Sequence, residues 1–295
     1  MSTSAIDLSR LPVPNIVEAL DFETILAEQL DDLIVRDATF DGLQESDPAM
    51  KVLQVTAYRE LHIRQRVNEA ARALMLAYAM DSDLDHLGAL MDVPRLVVTP
   101  ADPDKGTDAV MESNADLRKR IQLAPHGFSV AGPEGAYIFH ALGADGRVLD
   151  ASATSPSPGE VIVTILSRDG DGTATPDLLE LVASRLGADN VRPLTDYVLV
   201  ESVEIVRYQV RATLFTFPGP DATVVLLEAQ KRMAQYVIDT HRIGRVPTLS
   251  GIYAALHVDG VERVELTSPT TDLPVTRRQA PFCDDIVVDY GGVYE

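Results

Sequence analysis

The residues best placed to do chemistry lie in "RDGDGTATPDLLE", where oxygen-bearing side chains run straight into a predicted helix. Counted from Asp169, Asp171 and Glu180 fall at the third and twelfth positions of a calcium loop, whose carboxylates would wrap a hard cation. The sixth position needs glycine for its sharp turn and holds Ala174, and the eighth holds Pro176. The stretch therefore reads as a turn feeding a capped helix. "HGFSVAG" resembles a nucleophile elbow, but two residues separate Ser129 from Gly132 where that motif has one. The histidines are His62, His86, His126, His140, His241 and His257; no two stand four apart and HExxH is absent. Neither GxxxxGK[ST] nor GxGxxG occurs, and no carboxylate pair stands out for acid–base work. Cys283, near a strand start, reads as a buried thiol. The residues thus predict no catalytic, cofactor-binding or metal site.

Composition bounds the rest. With 25 basic against 45 acidic residues the formal charge is -20, which opposes binding to nucleic acid or to an anionic membrane surface. A single cysteine rules out an internal disulfide and suits a reducing compartment. The N-terminus has neither the basic start nor the apolar core of a signal peptide, and no run approaches a membrane span. Synthesis and folding in a cytoplasm are expected.

The elements predict an α+β, multidomain chain: an N-terminal helical region followed by two α+β domains. Residues 1–98 would form an arm and helices, 99–200 a middle α+β domain and 201–295 a C-terminal one. A helix starts near Asp21, with Phe22, Leu26, Leu30 and Leu33 on one side. The longest helical signal runs over about residues 48–80, with Ser46 or Asp47 as cap and Pro48 in the first turn. A third helix follows in "DSDLDHLGALM", capped by Ser82 or Asp83. The Pro-, Asp- and Gly-rich segment 99–110 marks a boundary. Helices are expected in "ESNADLRKRIQLA" (with Leu117, Ile121 and Ala124 on one side), "GPEGAYIFHALG" and "TPDLLELVASRLG", and strands in "RVLDASAT" and "EVIVTILS". "DYVLVESVEIVRYQVRATLFTF" reads as a long strand bridging into the last domain.

The long helix carries a heptad-like seam. Met50, Ala57, Arg64, Ala71 and Tyr78 share one position, and Leu53, Glu60, Val67 and Leu74 the other. Glu60 and Arg64 can pair at i,i+4. The seam could be buried within its own domain or left open for a partner helix. A small helical region hides few faces, so these nine residues are predicted as a partner interface.

"ADGRVLDASATSPSPG" at 144–159 nearly returns as "VDGVERVELTSPTTD" at 258–272, each after a helical run. Tyr137 and Tyr253, Gly146 and Gly260, and Pro156 and Pro269 correspond. The expectation is an equivalent helix–turn–strand corner in each α+β domain, with glycine allowing the reversal and proline ending the strand.

The ordered set "DFETILAEQL", "AYRELHIRQRVNEAARALMLAYA", "DLDHLG", "ESNADLRKRIQLA", "FSVAGPEGAYIFHALGADGRVLDASATSPSPG", "VRPLTDYVLV", "LSGIYAALHVDGVERVELTSP" and "QAPFCDDIVV" resembles the baseplate J-like proteins of contractile phage tails and related bacteriocins along nearly the whole chain. The resemblance implies a structural wedge subunit without catalytic residues or cofactors. Two copies would join a second wedge protein of the tail, the N-terminal helices bundling together. Neighbouring wedges would close a ring around the hub, next to the sheath-initiating proteins, and relay conformational change on contraction. It implies a place in the virion tail baseplate or a tail-like particle. A tail-associated cell-wall hydrolase and a host-binding module are the competing readings.

Overall fold

In the computed structural model, residues 8, 11, 12, 14–219 and 221–294 are described, and the structural statements below concern these. Half of the arm expected over the first 20 residues lies outside them. The chain divides into two compact units, one of Ser4–Pro94 with Asn114–Ile121 and the other of Arg95–Ser113 with Gln122–Glu295.

The first unit is helical. Helix α1 (Phe22–Arg36) opens where the Asp21 carboxylate accepts a hydrogen bond from the Thr24 amide at 2.9 Å. Glu23 in its first turn and Arg36 in its last complement the helix dipole. Ile25 is its buried residue, while the expected stripe of Phe22, Leu26, Leu30 and Leu33 is half-buried. Helix α2 (Pro48–Ala73) starts on Pro48, and the Asp47 carboxylate turns back to the Gln44 amide at 2.8 Å instead of capping. The two helices run antiparallel: Glu18, just before α1, meets Asn68, and Gln29 meets Thr56 and Glu60.

Sequence reading carries the second helix on to about residue 80; it stops seven residues earlier. Nothing in "AARALMLAYA" breaks a helix locally. The Arg118 guanidinium donates to the carbonyls of Leu76 and Ala79, both at 2.7 Å, and holds them in a turn. Helix α3 (Asp81–Ala89) then begins with Met80 at its cap position, ahead of the expected Ser82 or Asp83. It buries Leu84 and brings Gly88 against Ile121 and the Val93 carbonyl, where a larger side chain would collide. Helix α4 (Asn114–Gly127) supplies Leu117 and Ile121 to this unit and crosses into the other.

In the second unit, β1 (Val97–Thr99) pairs antiparallel with β2 (Val110–Met111), closing off the loop between them. Next come α5 (Glu134–Leu142), β3 (Val148–Thr154), β4 (Glu160–Ser167), α6 (Pro176–Leu186) and β5 (Tyr197–Ser202). The sheet order is β3-β4-β5, the first pair antiparallel and the second parallel. Tyr137, Val163, Ile165, Leu178, Val182 and Leu186 fill its core. The α6 boundaries follow from sequence, with Thr175 before the helix, Pro176 opening it and Gly187 after it.

The predicted long strand breaks at Val203. Its second part, β6 (Glu204–Thr216), is the centre of another sheet, completed by α7 (Ala222–Thr240), α8 (Leu249–Leu256), β7 (Val261–Ser268) and β8 (Gln279–Val293) in the order β7-β6-β8. Val210, Leu214, Met233, Ile252 and Leu256 make the second core. The chain is therefore α+β, with a helical N-terminal region ahead of two small mixed sheets.

The two corners in the repeated sequence do occupy like places. Both sheets have a central strand flanked by the corner strand, antiparallel, and by the last strand, parallel. The chain order differs: β3 precedes its central strand, whereas β7 follows its own. The turns differ too. Gly260 adopts a positive φ of 97°, as a reversal requires. Gly146 does not; it is small because the Val97 backbone carbonyl packs where a Cβ would stand.

Candidate assembly surface

The nine seam residues do not share one environment. Met50 and Ala57 are buried, Ala57 completely. Leu53, Glu60, Arg64, Ala71 and Tyr78 are half-buried, while Val67 and Leu74 stand out at 54% and 77% exposure. The first part of the seam faces α1, and its polar centre is engaged within the chain. Arg64 pairs with Glu60 at 2.6 Å and reaches Glu18 and Glu28 at 3.8 and 3.9 Å. Glu60 also accepts from the Gln29 amide at 2.7 Å. That hydrogen bond, and then Arg64, hold the Glu60 carboxyl below its usual range.

Sequence reasoning missed Asn68, which is buried and forms two hydrogen bonds with the Glu18 backbone, accepting from its N–H at 3.0 Å and donating to its C=O at 2.9 Å. A polar residue at this place satisfies an otherwise unpaired stretch of backbone. It pins the entry of α1 to the last turns of α2. No local pattern announces it, because its partner lies 50 residues away.

The opposite side of α2 carries a second stripe, also missed. Val52, Val55, Ile63 and the ring of Tyr58 are exposed, with Val55 at 56% and Ile63 at 66%. Lys51, Val55, Tyr58, Arg59, His62 and Ile63 line a shallow open groove of about 890 Å³ at the start of α1. Tyr58 and His62 meet edge to face with centroids 4.4 Å apart, which stiffens one wall. Val52, Val55, Arg59, His62 and Arg66 recur at heptad spacing, but only the first two are apolar, so periodicity did not mark the stripe. What the sequence lacked was which of two apolar-bearing faces α1 covers.

Two of the residues weighed for chemistry, Asp171 and Cys283, make ordinary structural contacts. The Asp171 carboxylate accepts from the Thr173 amide and pairs with Arg207, and both bonds depress its pKa, Thr173 first. Among the described residues no group of three or more His, Cys, Asp or Glu side chains is placed to hold a metal ion. Cys283 on β8 is half-buried, its thiol donating to the Asp285 carbonyl at 3.3 Å; burial raises its pKa and so disfavours the thiolate. No helix among the described residues is long and apolar enough to cross a membrane.

Comparison with known proteins gives this surface its context. Residues 45–102 match the model of the baseplate J-like N-terminal domain, and residues 129–202 that of the baseplate J-like central domain. Baseplate protein J of Escherichia phage P2 is 50% identical over 97% of this chain and 98% of its own length. The chain belongs to the baseplate J-like family. As a baseplate J-like protein it is a structural protein of the phage tail baseplate. A chain in the cryo-EM structure of the anti-feeding prophage baseplate is also similar, with 17% identity and a TM-score of 0.41; the match covers 61% of this chain and 43% of that one. The N-terminal family domain contains all of α2, and the central one contains α5 through β5. The exposed stripe of this baseplate J-like protein thus lies inside its N-terminal family domain.

Proposed function

We propose that the protein is a non-enzymatic wedge subunit. A second copy and a second wedge protein join it through the N-terminal helices, and wedges close a ring around the tail hub. Residues 1–98 serve the bundle, while 99–200 and 201–295 form two α+β domains that meet neighbouring wedges, the hub and the sheath-initiating proteins. The protein also relays conformational change when the tail contracts. No nucleic acid, membrane or cofactor is needed for this work.

One observation carries the reading: α2 leaves an apolar stripe, Val52, Val55 and Ile63, exposed to water, with Phe22 at the start of α1 bordering the groove beside it. In water such a face is a cost that association removes, since burying a Val or Ile side chain contributes roughly 1.5–3 kcal/mol. Val67 and Leu74 extend the interface from the seam, and Met50, Leu53, Ala57, Glu60, Arg64, Ala71 and Tyr78 support it by fixing α2 against α1 or the following turn. Lys51, Arg59 and Arg66 border the stripe, so an acidic amphipathic helix suits it better than an identical stripe would. Co-expression with the second wedge protein, followed by mass measurement, tests the proposal. A complex of two copies with one partner is expected, and an unchanged monomer mass in every condition would overturn it.

A further inference from the structure

The two α+β halves, 129–202 and 203–294, look separable in sequence, and domains in one chain ordinarily move unless their interface is extensive and apolar. Three features oppose motion here. The crossing has no slack: the Val203 amide donates to Ile165 in the first sheet at 2.9 Å, and the next amide, Glu204, donates to Arg278 beside the second at 3.1 Å. A dry cluster sits at the junction, with Leu166 of β4 against Val203 and Ala280, all buried, and Ile243 packed on it. A loop from the second half then returns to grip the first. The Arg278 guanidinium forks onto both Glu201 oxygens, its Nε at 2.6 Å, while Thr164 also donates to Glu201 at 3.0 Å. Arg277 pairs with Glu134 on α5, and its carbonyl accepts from buried Ser152 at 2.6 Å. Asp150 reaches back to accept from the Ile243 amide at 3.1 Å.

We infer that Arg277 and Arg278 form a clasp that locks the two α+β halves into one rigid body, so that any rearrangement in the baseplate swings them together. The inference goes beyond the assembly reading and stands on this chain alone. Exposed ion pairs contribute little singly; here they act on a junction already closed by apolar contact, and they add orientation.

Native-state hydrogen exchange on the full chain tests it. In the unaltered protein the junction amides of Val203 and Ile243, which donate across to Ile165 and Asp150, should be protected to within about tenfold of the central strands β4 and β6, as in one cooperative unit. Weaker protection than that would mean a hinge and overturn the inference. In Arg277→Ala/Arg278→Ala the same amides should lose at least about tenfold while β4 and β6 keep their protection, showing that both halves remain folded. Unchanged junction protection in that variant would overturn the clasp.

Discussion

Replacing Val55 and Ile63 together by Glu separates assembly from folding. Both side chains already face water, at 56% and 66% exposure, so the isolated chain should lose no more than about 0.5 kcal/mol per site. In a bundle the balance is different. Full burial of such a side chain contributes roughly 1.5–3 kcal/mol, and half to two-thirds of that remains unrealised here, roughly 1–2 kcal/mol per residue. Placing two unpaired carboxylates in the contact adds about 1–3 kcal/mol each. The association should therefore weaken by about 4 kcal/mol or more, close to a thousandfold at 1.4 kcal/mol per decade. Titration of the purified chain with its wedge partner measures the affinity, and far-ultraviolet circular dichroism melts confirm the fold. Ala57→Glu provides the contrast: the site is fully buried beneath α1, so that variant should lose the helical unit itself. Affinity within a few-fold of the parent for a folded Val55→Glu/Ile63→Glu chain would refute the reasoning, because the stripe would then touch nothing that matters.

Two further outcomes follow from contacts inside the chain. Arg118→Ala should destabilise the helical unit by about 2–4 kcal/mol, since two carbonyls lose charge-assisted hydrogen bonds; urea unfolding followed through that unit measures it, and Arg118→Lys should restore only part, because one ammonium lacks the planar fork. His140 is buried, its Nδ1 has no hydrogen-bond partner, and its pKa is lowered, first by burial and then by the Arg185 charge. A depressed histidine favours its neutral form in the folded state, so its contribution is complete above the unfolded value near 6.5 and is lost as pH falls through the lower folded value. Thermal stability should therefore decline on acidification below about pH 6.5. His140→Gln should flatten that slope, as a melting series across the window would record.

Much of the second unit was legible residue by residue. "TPDLLELVASRLG" became α6 with its Thr, Pro and Gly in the expected places, and "RVLDASAT" and "EVIVTILS" became β3 and β4. The start of α1 at Asp21 was legible for the same reason, because a capping carboxylate and the amide it binds lie three residues apart. On α2 the sequence left the choice of face open: apolar residues stand on two of them, and periodicity does not tell which one α1 takes. The seam chosen from sequence holds the better heptad, and for that reason its first part is the face the chain covers itself.

The sequence by itself determined the Asp21 cap, most strand and helix identities, the acidic balance and the family. Tertiary structure decided where α2 ends, where the long strand divides at Val203, why Gly146 must be small and which stripe stays in water. The physical reason is range. Capping, propensity and alternation are free energies between residues a few positions apart, so a linear reading captures them. Arg118 on the Leu76 carbonyl, Asn68 on the Glu18 backbone, Val97 against Gly146 and Arg278 on Glu201 act across 40 to 80 residues of chain, and they exist only once the fold has brought them together.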